Sequence, residues 1–171
     1  PMPLNEGMRD DCLNPYSVSK VSAEKLCKMY SDLFNLQTVT FRYFNVYGPR
    51  EPIKGSYAPV IGLFLRQHKA GEPLTIVGDG SQRRDFIHVE DVVSANILAI
   101  NSNVSGELIN IGYGENYSIK SIANSISSNQ IHVFPRSGEA KETLANIEKA
   151  KKLLNWLPTH NVLEYIKEQL K

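Results

Sequence analysis

"NPYSVSKVSAEKLCKMYSDLFNLQTVTFRYF", residues 14–44, carries two opposite periodicities in succession. From Pro15 to Phe34 the apolar and small residues Val18, Val21, Ala23, Leu26, Met29, Tyr30 and Leu33 recur at steps of three and four. That is the spacing of an amphipathic helix with proline in its first turn. Asn14 is placed to be the N-cap, because its side chain can accept from an otherwise unpaired amide of the first turn. The stretch 36–44, "LQTVTFRYF", is rich in β-branched and aromatic residues at strand length. Helix followed closely by buried strand is the unit of an α/β fold.

Working outward, "NVYGPREPIKGS" (45–56) holds two glycines and two prolines and reads as a loop leaving the C-terminal end of that strand. In open parallel sheets that end is where ligands bind. A second helix is expected over 57–71, closed by Gly71, then a strand in "EPLTIVGDG" with a glycine turn. "DFIHV" reads as a short strand, and "EDVVSANILAIN" as a helix whose Glu90 and Asp91 suit the positive end of its dipole. Strand 106–112, a capped helix in "SIKSIANSIS", strand 131–135 and two closing helices separated by Pro158 complete the alternation. Trp156 reads as an apolar anchor for those last helices.

The bulk composition narrows the function classes. With 171 residues, 42% hydrophobic and 22% charged, the chain is an ordinary globular one with a single sizeable core. Nineteen basic residues balance 18 acidic ones with no block of like charge, so no nucleic-acid partner is indicated. No apolar run reaches the roughly twenty residues of a membrane helix. Two cysteines, Cys12 and Cys27, fit reduced thiols, and "PMPLNEG" lacks a signal-like pattern; both point to the cytoplasm. His68, His88, His132 and His160 show no metal-ligand spacing, so no metal is expected.

The chemistry starts at Tyr16 and Lys20. Positions i and i+4 share a helix face, so phenol and ammonium can reach one ligand. A cation beside a tyrosine stabilises its phenolate, which makes Tyr16 a candidate general base with Lys20 as its helper. Taken alone, the pair is also the pattern of a solvated helix face. It does not stand alone: "NPYSVSKVSAEKL", "TFRYFNVYGPR" and "GDGSQRRDFIHVEDVVSA" follow in that order.

Together these resemble the extended short-chain dehydrogenase/reductase family, and within it NAD-dependent nucleotide-sugar epimerases of the UDP-glucose 4-epimerase type. The resemblance runs from about Asn14 to Trp156. It implies an α/β fold made of the C-terminal part of a Rossmann-type parallel sheet plus a small α/β substrate-binding lobe. Residues 1–50 would belong to the dinucleotide-binding part and 51–171 mainly to the nucleotide-sugar lobe, with about 90–115 returning to the Rossmann sheet. The family's glycine-rich G-x-x-G-x-x-G turn is not in this sequence, so the chain is similar to a C-terminal half whose partner would be the N-terminal half of the same enzyme.

By resemblance, Tyr16 takes the proton of a sugar 4-hydroxyl, and Lys20 holds the nicotinamide ribose. Tyr43 and Phe44 line the nicotinamide region. Asn45, Arg84, Arg136 and Glu139 would bind the UDP part of the substrate, the two arginines at the diphosphate. Thr143 would be a pocket-wall residue, small enough to admit N-acetylated sugars. Asp85 reads as structural and Arg83 as a solvated surface charge. A 4,6-dehydratase or UDP-glucuronate decarboxylase on the same scaffold is the enzymatic alternative, and a non-catalytic sugar-nucleotide-binding remnant the other. A homodimer through the tyrosine-bearing helix is a further expectation from the family.

Overall fold

A computed structural model describes residues 2–52, 59–135 and 138–171. Helix α1 spans Pro15–Phe34, and Asn14 caps it as its side chain suggests: the Asn14 Oδ1 accepts from Ser17 N at 2.9 Å, and Ser17 Oγ accepts from Asn14 N at 3.3 Å. Asn35 ends the helix at φ 53°, a left-handed conformation that asparagine tolerates. Strand β1 (Val39–Tyr43) then pairs in parallel with β5 (Glu107–Ile111), from Val39 opposite Glu107 to Tyr43 opposite Ile111.

The expected loop after β1 begins instead as a strand. β2 (Asn45–Tyr47) leaves the first sheet and pairs in parallel with β4 (Arg83–His88), which in turn pairs antiparallel with β6 (Asn116–Ser118). The change of sheet falls on Phe44, whose N–H donates to Ile111 O at 3.0 Å while its neighbours face different partners. Three residues are too few to show a period in sequence, so β2 and β6 carry no pattern of their own. β4 also starts two residues before "DFIHV". A third pair, β3 (Leu74–Val77) with β7 (Gln130–Val133), is parallel. Among the described residues, the remaining helices are α2 (Val60–Lys69), α3 (Val89–Ile100), α4 (Ile119–Ile126), α5 (Glu148–Leu154) and α6 (Val162–Gln169). The start of the helix expected from residue 57 lies outside the described residues.

Among the described residues, two apolar cores result. One joins α2, α4 and α6 to β3 through Ile61, Phe64, Leu74, Ile76, Ile122 and Ile166. The other joins α3 and α5 to β5 through Val92, Ala95, Ile109, Ile111, Ala150 and Trp156. Alternation along β1 sorts its side chains: Val39 and Phe41 pack on this second core, while Arg42 faces α1 and donates to Glu24 at 2.7 and 2.6 Å and to Asp10 at 2.7 Å. Hydrogen bonding to Glu24 outweighs burial and holds the Arg42 pKa above its ordinary value. Trp156 is the expected anchor: 1% exposed, its indole N–H reaches Asp91 O at 3.1 Å and Ser94 Oγ at 2.9 Å. Among the described residues, no helix is long and apolar enough to cross a membrane.

Candidate active site

Helix α1 presents Tyr16 and Lys20 to the same side, with Lys20 Nζ 5.3 Å from the centre of the Tyr16 ring. Tyr16 is 58% exposed, so a ligand can approach the phenol. The capped first turn fixes both residues relative to the chain that precedes them, since Asn14 and Ser17 lock the entry.

The substrate-side candidates gather at β2 and β4. Asn45 lies opposite Phe86, and its Nδ2 donates to Asp85 O at 2.9 Å and Thr143 Oγ1 at 3.3 Å. Thr143 Oγ1 also accepts from Asp85 N at 3.3 Å, and Thr143 N donates to Arg83 O at 3.1 Å. Arg84 extends from the same strand, with Nη1 donating to Arg83 O at 2.9 Å and Nη2 3.9 Å from Glu139 Oε2. Burial lowers the Arg84 pKa and Glu139 only partly restores it. Thus four of the residues singled out from sequence, Asn45, Arg84, Glu139 and Thr143, fall into one network.

Asp85 is the pin beneath that network. It is fully buried, and its carboxylate accepts from Tyr113 N at 2.7 Å and from Gly114 N and Ala145 N at 3.0 Å. Burial lifts its pKa, and the three amides draw it part of the way back. Gly112 is required beside it, because a Cβ there would lie 2.5 Å from Ala145 Cβ and 3.0 Å from Asp85 Oδ2. The two groups of residues approach each other through their loops: Leu4 exchanges backbone hydrogen bonds with Leu144 and Asn146, and Gly138 would bring a Cβ within 3.7 Å of Leu13 O, just ahead of α1.

Other residues singled out from sequence lie on other elements or outside the described residues. Tyr43 lies on the α3 side of β1, where its hydroxyl exchanges hydrogen bonds with Asn96 at 2.9 and 3.1 Å. Phe44 is at the change of sheet, and Arg136 lies outside the described residues. Arg83 is exposed, as expected of a surface charge, and it is also tied down: Nε donates to Asn116 Oδ1 and Nη2 to Asn116 O, both at 2.7 Å. Asn116 in turn donates to Glu142 Oε1 at 2.8 Å and Thr143 O at 3.1 Å. The antiparallel β4–β6 pairing makes this contact, and a short β6 hid it from the sequence. His88 and His160, 72 positions apart, stack at 4.5 Å, a pairing that linear spacing could not show.

The sequence model of the family described as "NAD dependent epimerase/dehydratase family" matches residues 3–112. The chain belongs to that family. Its relatives in the epimerase/dehydratase family extend the likeness over nearly all of it. A UDP-glucuronate 4-epimerase of Thermodesulfobacterium geofontis is 34% identical over 173 residues, 96% of this chain and 52% of that protein. The solved UDP-N-acetylglucosamine 4-epimerase of Methanobrevibacter ruminantium, in complex with UDP-N-acetylmuramic acid, superposes with a TM-score of 0.89 at 31% identity, covering 99% of this chain and 55% of that one. The UDP-glucose 4-epimerase of Thermotoga maritima, with UDP-glucose, gives 0.85 at 31% identity, covering 91% and 52%. This chain therefore spans about half the length of the relatives it matches, and its α/β fold is that of the epimerases' C-terminal part.

Proposed function

We propose that this chain is the C-terminal half of an NAD-dependent nucleotide-sugar 4-epimerase, acting on UDP-hexoses through a 4-keto sugar. The observation that carries the reading is the pairing of Tyr16 with Lys20 on α1 alongside the Arg84–Glu139 and Asn45–Thr143 contacts at β2 and β4. Residues 1–50 and about 90–115 would belong to the dinucleotide-binding part, and the rest mainly to the substrate lobe.

Tyr16 and Lys20 fit the nicotinamide ribose end of the cofactor, since both are exposed on one helix face and offer a hydroxyl and an ammonium. Bound NAD would supply a recycled two-electron acceptor and donor. Tyr16 then accepts the proton of the sugar 4-hydroxyl as C4 is oxidised, and returns it when C4 is reduced on its other face. Lys20 stabilises the phenolate and anchors the ribose hydroxyls. Arg84, with Arg136, neutralises the diphosphate through planar charge-assisted contacts. Glu139 receives uridine ribose hydroxyls. Asn45 reaches the diphosphate by exchanging its 3.3 Å contact to Thr143, and Thr143 forms the wall beside the sugar. Tyr43 and Phe44 border the nicotinamide. Free Cys12 and Cys27 suit a reducing cytoplasm, and the exposed Leu26, Met29, Tyr30 and Leu33 on α1 suit contact with a second copy.

The test is Tyr16→Phe in the complete enzyme. Turnover of UDP-glucose should fall about 10²- to 10⁴-fold while UDP affinity is kept, because only the proton acceptor is removed. Near-normal turnover would remove Tyr16 from the chemistry.

A further inference from the structure

Away from these residues, the start of α3 meets the segment that leads into α6. Asp91, 2% exposed in the first turn of α3, takes hydrogen bonds from one dipeptide: Thr159 N at 3.1 Å, Thr159 Oγ1 at 2.9 Å, His160 N at 3.0 Å and His160 Nδ1 at 2.9 Å. With Nδ1 donating to Asp91, the remaining nitrogen of His160 faces Glu90, Nε2 to Oε2 3.3 Å. A proton on Nε2 thus finds an acceptor in Glu90.

His88 has none. It is 4% exposed, stacks on His160 with ring centres 4.5 Å apart, and meets Tyr47 at 5.1 Å and Tyr165 at 5.4 Å. Its Nδ1 accepts from Glu90 N at 3.3 Å as the N-cap of α3. A proton there would set donor against donor, at the positive end of a helix dipole and against a second imidazolium. The facing groups are Glu90 and Asp91 from α3, Tyr47 from β2, His160 and, from α6, Tyr165, which itself lies in the field of Glu51.

We propose that His88 and His160 form an acid-sensitive clasp that fastens α6 to the start of α3. With His88 neutral the segment stays seated, and a proton on His88 releases it. What is released is structural: Tyr47 donates to His160 O at 3.0 Å, Asn161 Nδ2 reaches the Tyr113 and Tyr117 hydroxyls at 3.3 Å, and Val162 and Ile166 fill the first core. Burial first, and His160 second, hold the His88 pKa below its usual 6.5. The fastened form therefore binds this proton less well than the released form, so fastening is complete above that value and weakens as pH falls below it. The ligand atoms of His88, Glu90 and His160 lie within 4.8 Å of one another, but a metal there is disfavoured. His88 Nδ1 accepts from Glu90 N, which leaves the His88 proton on Nε2, the nitrogen a metal would need.

The test is a histidine proton titration by NMR from about pH 8 to about pH 5, with hydrogen exchange of the Val162–Gln169 amides corrected for intrinsic rates. His88 should take its proton below its usual 6.5, and α6 protection should be lost over that range while β1 and β5 keep theirs. His160→Gln should raise the His88 midpoint by removing the facing charge, and Glu90→Gln should lower it further by removing a carboxylate that eases the proton on. A His88 midpoint at or above 6.5, pH-independent α6 protection, or one-to-one zinc capture that moves both ring signals would each overturn the clasp. Should His160→Gln not fold, Glu90→Gln at an exposed carboxylate still gives a signed result.

Discussion

Replacing Asp85 with alanine removes the acceptor for three amides at once, those of Tyr113, Gly114 and Ala145, at 2.7 to 3.0 Å in a place that water does not reach. Each buried donor left unpaired costs about 1–3 kcal/mol. The sum is an upper limit, because a cavity of one carboxylate's size lets the turns relax, and breaking a buried charged network typically costs about 3–5 kcal/mol. That is a large share of the about 5–15 kcal/mol that holds a domain of this kind. Asp85→Asn should cost less, about 2–3 kcal/mol, since one oxygen still accepts while its NH₂ opposes an amide donor. The raised pKa of Asp85 is consistent with this: burial disfavours the charge, whereas the substitution orphans the donors. Urea unfolding followed by circular dichroism at neutral pH, with the slope checked for constancy, measures both. A loss below about 1 kcal/mol for Asp85→Ala would refute the pin, as would Asp85→Asn being the worse of the two.

Arg84→Ala in the complete enzyme should weaken UDP by about 1.5–3 kcal/mol, read by calorimetric titration; unchanged affinity would put the diphosphate elsewhere. Thr143→Tyr should abolish turnover of a UDP-N-acetylhexosamine while sparing UDP-glucose, because overpacking a closed wall costs about 1–3 kcal/mol; equal loss of both activities would show disruption of the Asn45 and Asp85 contacts instead. Asn14→Ala should lower stability by about 1 kcal/mol through the lost cap of α1, measurable as a reduced urea midpoint, with Asn14→Ser largely restoring it.

The long elements were legible because their periods repeat. α1 matched its spacing and its cap residue for residue, and β1, β3 and β5 announced themselves through β-branched runs. What escaped were features made by pairing rather than by pattern. β2 and β6 are three residues each, and their existence depends on β4 lying between them. Arg83 is the exposed charge that its sequence suggests, but nothing near it in sequence predicts Asn116 as its acceptor. Among the site residues, the motifs named Asn45, Arg84, Glu139 and Thr143, but only the fold shows that Thr143 Oγ1 already serves Asn45 and Asp85. Asp91 was legible as a helix-dipole partner; that it also gathers Thr159 and His160 was not, since those lie 68 and 69 positions later.

The crossing at Phe44 makes Tyr43 and Asn45, two residues apart, members of different sheets. A single run of extended backbone is thus a drive shaft between two gears. One end is meshed with β5 and the helices around the second core, the other with β4 and its arginines. An insertion or deletion of one residue here would turn Tyr43 or Asn45 to the opposite face of its sheet, because side chains alternate with period two. Evolution or engineering that retunes one side of this crossing must therefore carry the other side with it.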